Sequence, residues 1–253
     1  MRVPRLLGVR ARRVTRALLL VAAAAMLVAQ GRGRGYFRIP PNPEYDGRFV
    51  FTRIWYPGVG RRGSAWNHDY PQADHHLPKI MREISSLDPQ VDVSNVFELS
   101  DPELFKSPVA YLSEPGTWGA SEAHVHALRE YLLKGGFLIV DDFEADQFIN
   151  FAAQMRRALP EYEPIEIDAS HPIFDTFFGV ENPYVPHPLV RVTPRFLGYF
   201  EDNDPDRRMM VMVNHNSDLA EYWEYSGTGT FPVDLTNEAY KLGANYIIYG
   251  MTR

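Results

Sequence analysis

The 253-residue chain contains no cysteine. That excludes thiolate nucleophiles, disulfides and sulfur-ligated metals together, and a chain without stray thiols suits an oxidising compartment. A G-x-S-x-G pattern is also missing, so serine acyl transfer loses its usual signature. Basic tracts are absent beyond the first residues. Arg2, Arg5, Arg10, Arg12, Arg13 and Arg16 supply every positive charge before Gly31, and without them 20 Lys and Arg face 32 Asp and Glu, a net charge of −12. So acidic a chain is a poor partner for nucleic acid or anionic lipid.

Those arginines precede the purely apolar run Ala17–Ala29, and Ala29-Gln30-Gly31 offers the small residues that a signal peptidase reads. The run is 13 residues long, against the roughly 18 to 20 of a permanent membrane helix. Residues 1–31 therefore read as a signal peptide, which predicts a periplasmic or secreted protein with no stable membrane insertion once the leader is removed. An uncleaved leader acting as a membrane anchor is the alternative. Arg12-Arg13 continues as Val14-Thr15-Arg16, which does not extend a twin-arginine signal.

Residues 32–47, rich in Gly, Pro and Arg, read as a linker, and residues 48–253 as a single α/β domain. Its centre is Leu128–Glu144, LREYLLKGGFLIVDDFE. An amphipathic run ends at Gly135-Gly136, four apolar residues follow, and two carboxylates stop them. This is the pattern of a capped helix and then a strand buried on both faces. Strands are also expected at 48–56, 91–96, 108–114, 165–168, 189–193, 196–200 and 209–213, and helices at 73–86, 121–134, 146–159 and 236–251. Residues 171–206, rich in Pro and Asn, read as an irregular insertion. Alternating strands and helices with short connections predict a flavodoxin-like three-layer sandwich around a mostly parallel sheet. No internal repeat is visible.

In open α/β sheets the ligand crevice lies beyond the carboxyl ends of the strands. Asp69, Glu114, Asp141, Asp142, Asn214, Asn216 and Asp218 all fall there and are the candidate ligand-binding residues, with Trp118 as a loop aromatic beside them. Hard oxygens converging on one edge suit Mg²⁺ or Ca²⁺, or two carboxylates dividing acid and base work; capping of the following helices is the structural alternative. His68, Asp69, Asp74, His75 and His76 form the densest set of metal-ligand types. Neighbours on a helix point about 100° apart, however, so His75 and His76 do not share an ion and are expected to face solvent. His124 and His126 read as one packed and one exposed helix residue. Trp66, Trp118 and Trp223 are expected in loops, where they suit a sugar or heterocycle platform, although a Trp closing an edge of the core is the commoner arrangement. Gly58-Val59-Gly60-Arg61-Arg62-Gly63 formally matches a dinucleotide fingerprint but does not run into a helix, and it reads as a glycine loop. The residues specify no cofactor, no catalytic nucleophile, no definite metal and no oligomeric state.

Asp69-Tyr70-Pro71, GGFLIVDD, His171-Pro172-Ile173-Phe174 and Lys241-Leu242-Gly243-Ala244-Asn245-Tyr246 together resemble the bacterial domain-of-unknown-function family 4159, from about Phe49 onward. The resemblance implies a fold similar to the class I glutamine amidotransferase-like superfamily, in which a catalytic cysteine occupies the strand-to-helix elbow. This chain has Asp141-Asp142 near that elbow and no cysteine, so amidotransferase activity is not expected. The functions left open are binding of a polar small molecule such as a carbohydrate, metal- or carboxylate-assisted hydrolysis, and a structural role in a cell-envelope assembly.

Overall fold

The computed structural model describes residues 39–58 and 65–253. The leader, residues 32–38 of the linker and the glycine loop after Gly58 lie outside the described residues. Two units divide at Pro41, and the second, Asn42–Arg253, contains every described helix and strand.

Seven strands form one sheet: β1 (Thr52–Ile54), β2 (Asn95–Phe97), β3 (Val109–Ser113), β4 (Phe137–Asp141), β5 (Ile165–Ile167), β6 (Arg195–Phe200) and β7 (Met209–His215). Their order is β2-β1-β3-β4-β7-β6-β5. The first five strands in this order are parallel to one another, while β6 runs antiparallel to both β7 and β5. The chain leaves β1 outward to β2 and returns across β1 to β3, so the direction of winding reverses there. Side chains beyond the carboxyl ends of β1 and β3 therefore border a crevice.

Among the described residues five helices cover the sheet: α1 (Gln72–Ile84), α2 (Glu122–Leu133), α3 (Gln147–Ala158), α4 (Leu219–Glu224) and α5 (Val233–Thr252). α1, α4 and α5 pack on one another over one face, and α2 pairs with α3. The pleat of β4 explains the layering. Phe137 and Ile139 join Leu77, Met81, Trp223 and Tyr246 in one core cluster, whereas Leu138 and Val140, equally buried, point the other way. The mixed α/β fold with a mostly parallel sheet is thus the one expected.

Three details differ from the expected elements. β1 and β2 are three-residue strands, paired with each other over Thr52–Ile54 and Asn95–Phe97, and β1 meets β3 at Arg53 and Tyr111. No strand forms at 189–193, where Pro186, Pro188 and Pro194 remove ladder donors and Leu189 is 64% exposed. α4 is unforeseen; six residues are too short for a periodicity to register. Pro78 lies inside α1, which nonetheless buries Ala73, Leu77 and Met81, one turn apart, on α4 and α5.

The turn into β4 is closed by two glycines with different duties. Gly135 has φ +108° and supplies the left-handed cap of α2. Gly136 N–H donates to Tyr131 O at 2.9 Å, and a Cβ there would lie 2.5 Å from the Tyr131 ring. Gly136→Ala should lower stability by about 1–3 kcal/mol through overpacking against a buried ring. The urea midpoint checks it, and an unchanged midpoint would mean that Tyr131 is free to move.

Candidate functional site

The site is built from the ends of three strands. Arg53 lies at the centre of β1 with its side chain fully buried. Its Nε donates to Asp74 Oδ1 at 2.9 Å, and its Nη1 donates to Trp66 O at 3.0 Å and to His68 O at 2.9 Å. The guanidinium also lies 5.0 Å from the centre of the Tyr111 ring. One buried cation thus fixes the turn carrying His68 and Asp69. Asp69 itself takes the left-handed conformation, φ +59°, which Asp tolerates better than most residues. Asp74, expected among the solvent-facing metal-ligand types, is instead the buried partner of Arg53. Only an ion pair makes two such groups tolerable there.

The acidic tip of β4 divides. Asp141 is fully buried, and its Oδ2 accepts from Tyr111 Oη at 3.0 Å, Leu219 N at 2.8 Å and Ala220 N at 3.3 Å. It therefore holds the amino end of α4, where backbone N–H groups lack helical partners. Asp142, φ +62°, turns the opposite way: its Oδ2 accepts from Ser113 Oγ at 3.1 Å and lies 2.8 Å from His68 Nδ1.

At the end of β7, Asn214 Oδ1 accepts from Tyr246 Oη at 3.0 Å, and Asn216 Oδ1 accepts from Ala145 N at 2.9 Å while its Nδ2 donates to Thr193 O at 2.9 Å. Asn216 is engaged through both amide atoms, and Asn214 through Oδ1, its Nδ2 being buried without a hydrogen-bond partner. Asp218 caps α4 through Oδ1, which accepts from Glu221 N at 3.0 Å, and leaves Oδ2 buried without a hydrogen-bond partner. Glu114, φ +52°, opens a short 3₁₀ turn. Trp118, Trp66 and Trp223 are 1%, 5% and 1% exposed and so offer no open ring face. Their expected role as ligand platforms does not fit that burial, and Trp223 belongs to α4 rather than to a loop.

Of the eight candidates, Asp69, Asp142 and Asp218 converge. His68, His187, Glu221 and Glu224 join them in four three-residue groups: His68–Asp69–Asp142, His68–Asp218–Glu221, Asp142–His187–Asp218 and Asp69–Glu221–Glu224. Within each group the possible ligand atoms lie within 4.8 Å of one another. Both carboxylate oxygens of Asp69 are buried with no hydrogen-bond partner; its nearest ion-pair contact is His68 Nδ1, at 3.6 Å. Glu221 and Glu224 went unnoticed in the sequence together with α4, although Asp218-x-x-Glu221 is a helix-start signature that reveals it. His187 was hidden in the stretch read as an insertion. His75 stays outside these groups, and His76 Nδ1 contacts Trp223 O at 2.7 Å, docking α1 on α4.

A family model described as "Domain of unknown function (DUF4159)" matches residues 51–251. The chain belongs to that family. Comparison with curated proteins gives no match. The DUF4159 match spans all seven clustered side chains and the Arg53–Asp74 pair that supports them.

Electrostatics set the cluster apart from the rest of this DUF4159 domain. Burial, and then the Asp142 charge, push the Asp69 carboxyl up to about 9. The bond to Asp142 holds the His68 imidazolium up to about 10, with Asp69 adding to the effect. Burial raises Asp141 to about 7 and raises Asp218 well above the carboxylate range. A cleft of about 550 Å³ lined by Asp168, His171, Arg207 and Arg208 is separate; Arg208 there bonds the carbonyls of Leu132 and Gly136, ahead of β4, at the opposite edge of the sheet.

Two outcomes follow. Asp141→Ala removes the acceptor of two buried N–H groups and one hydroxyl, and should cost about 2–4 kcal/mol, read from the urea midpoint. Asp141→Asn keeps an acceptor oxygen and should cost less; equal losses would contradict the capping role. For pH, unfolded Asp69 releases its proton near the ordinary carboxylate value while the folded chain keeps it up to about 9. Stability from this group therefore falls as pH rises between the two. His68 gives stability that is complete below its ordinary value of 6.5 and lost as pH approaches about 10. Both trends run the same way. In chelator the urea midpoint should drop between pH 6.5 and 9, and a flat or rising profile would refute it.

Proposed function

We propose that this domain binds a divalent cation through the His68, Asp69, Asp142 and Asp218 cluster and uses it to hydrolyse a polar small molecule. The observation that carries this reading is Asp69: two buried carboxylate oxygens without a donor, surrounded by other ligand-type groups. A carboxylate in that position calls for a positive charge. A cation fits better than a carbohydrate, since ligand atoms within 4.8 Å of one another leave ion-sized room and the tryptophans are covered. Mixed imidazole and carboxylate donors favour Mn²⁺, Zn²⁺ or Fe²⁺ over Ca²⁺.

The chemistry suits a chain with neither cysteine nor a serine elbow. A bound cation would supply Lewis acidity, polarising a substrate oxygen or activating water near neutral pH. The His68 side chain is 44% exposed and Glu224 half-buried, which keeps one side of the cluster open to a substrate. His68, whose Nδ1 faces Asp142, is oriented as a ligand or as a proton carrier. The proposal includes export: the arginines and the apolar run Ala17–Ala29 support a periplasmic or secreted site of action, with a retained leader as the anchored alternative. No helix among the described residues is long and apolar enough to cross a membrane.

Thermal unfolding with Mn²⁺, Zn²⁺, Mg²⁺ and Ca²⁺ tests the reading. At about 100-fold excess over Kd, binding to the native state adds about 2.7 kcal/mol, or roughly 5–10 °C for a domain of this size. Asp69→Asn should abolish that gain while leaving the cation-free protein as stable as before or more so, because a buried unpaired acid is removed. No gain with any of the four ions, or a gain that survives Asp69→Asn, would sink the proposal.

A further inference from the structure

We infer that the cluster is a two-cation centre, an inference that rests on the cation-binding reading above and extends it. Two of the four ligand groups share no residue: Asp142–His187–Asp218 and Asp69–Glu221–Glu224. His68 links them, since it combines with Asp69 and Asp142 in one group and with Asp218 and Glu221 in another. Seven candidate ligands exceed what one small divalent ion takes from a protein, usually three or four. Two ions would use three each, with His68 between them.

Each group also contains its own buried, unpartnered oxygen. Asp69, 4% exposed, leaves both oxygens without a donor in one group; Asp218, 1% exposed, leaves Oδ2 so in the other. A single ion at either position satisfies one and strands the other. Charge points the same way. Five carboxyl groups (Asp69, Asp142, Asp218, Glu221 and Glu224) converge; once ligation displaces their protons, one divalent ion neutralises fewer than half of the charges, whereas two come close to balance. His187 Nε2 is likewise unpartnered, while its Nδ1 accepts from Leu189 N at 3.2 Å, a long bond that ligation through Nε2 would release. Paired ions, typically about 3.5–4 Å apart, hold both the attacking and the leaving oxygen of a displacement. That suits displacement at the phosphorus of a phosphoric ester, or attack of water on a carboxylic ester carbonyl through a tetrahedral intermediate that expels the alcohol.

Mn²⁺ is the probe. The full chain, freed of metal with chelator and dialysed against Mn²⁺, is analysed for bound metal by elemental analysis and for spin coupling by electron paramagnetic resonance. The expected result is two Mn²⁺ per chain with a coupled signal, falling to one uncoupled Mn²⁺ in Glu224→Gln, whose half-buried position makes the change benign to folding. One Mn²⁺ in the native chain, two without coupling, or two retained in Glu224→Gln would overturn the inference and leave single-cation binding standing. No bound Mn²⁺ in the native chain would overturn the inference, and would remove the cation-binding reading as well where Zn²⁺, Mg²⁺ and Ca²⁺ also leave the unfolding temperature unchanged.

Discussion

The buried Arg53–Asp74 pair is the interaction on which the rest of the site depends. A guanidinium on the central residue of a three-residue strand has no access to water, and Asp74 on α1 supplies its counter-charge. The planar donor fork does more than neutralise. Two of its bonds end on the carbonyls of Trp66 and His68, so the turn between β1 and α1 is fixed from below by the sheet itself. Breaking such a pair leaves one uncompensated charge, typically a loss of about 3–5 kcal/mol. The position of Asp69 is thereby tied to the stability of the fold.

A second constraint is the pleat of β4. Adjacent residues point to opposite sides, so two neighbouring aspartates acquire unrelated duties. Asp141 faces Tyr111 and the start of α4, where three donors satisfy one of its oxygens. Asp142, one residue later and in the left-handed region, faces His68. Asp141 holds α4 in place, and α4 carries Glu221 and Glu224 toward the cluster. The acidic tip is thus half scaffold and half site, and both halves are needed for the carboxylates of β1, β4 and β7 to meet.

Much of this was legible in the sequence because it rests on local patterns. GGFLIVDD announces a capped helix and a strand covered on both faces, and the alternation of elements announces the parallel sheet. Asp69, Asp142 and Asp218 stood out because strand ends are where open α/β sheets gather polar groups. What escaped depends on contacts distant in sequence. Arg53 looks like any residue of an aromatic-rich strand until Asp74, 21 positions on, is seen beside it. His187 joins only because an irregular segment folds back over the edge. Asn214 and Asn216 share the location of the site residues but are engaged by Tyr246, Ala145 and Thr193, a distinction made by hydrogen-bond partners and not by position.

The same partner accounting separates a cluster formed by capping from one shaped for a ligand. Capping explains one oxygen of Asp141 and one oxygen of Asp218. It explains nothing about Asp69, which caps no helix through its side chain, although a neutral residue there would relieve the repulsion from Asp142. Folding alone favours replacing such a residue, since an unpaired buried acid destabilises the chain at every pH above its ordinary titration range. A group that opposes folding and lies among six other ligand-type side chains is accounted for when a cation reverses the sign of its contribution. The strain held by the cation-free domain is then the source of its affinity.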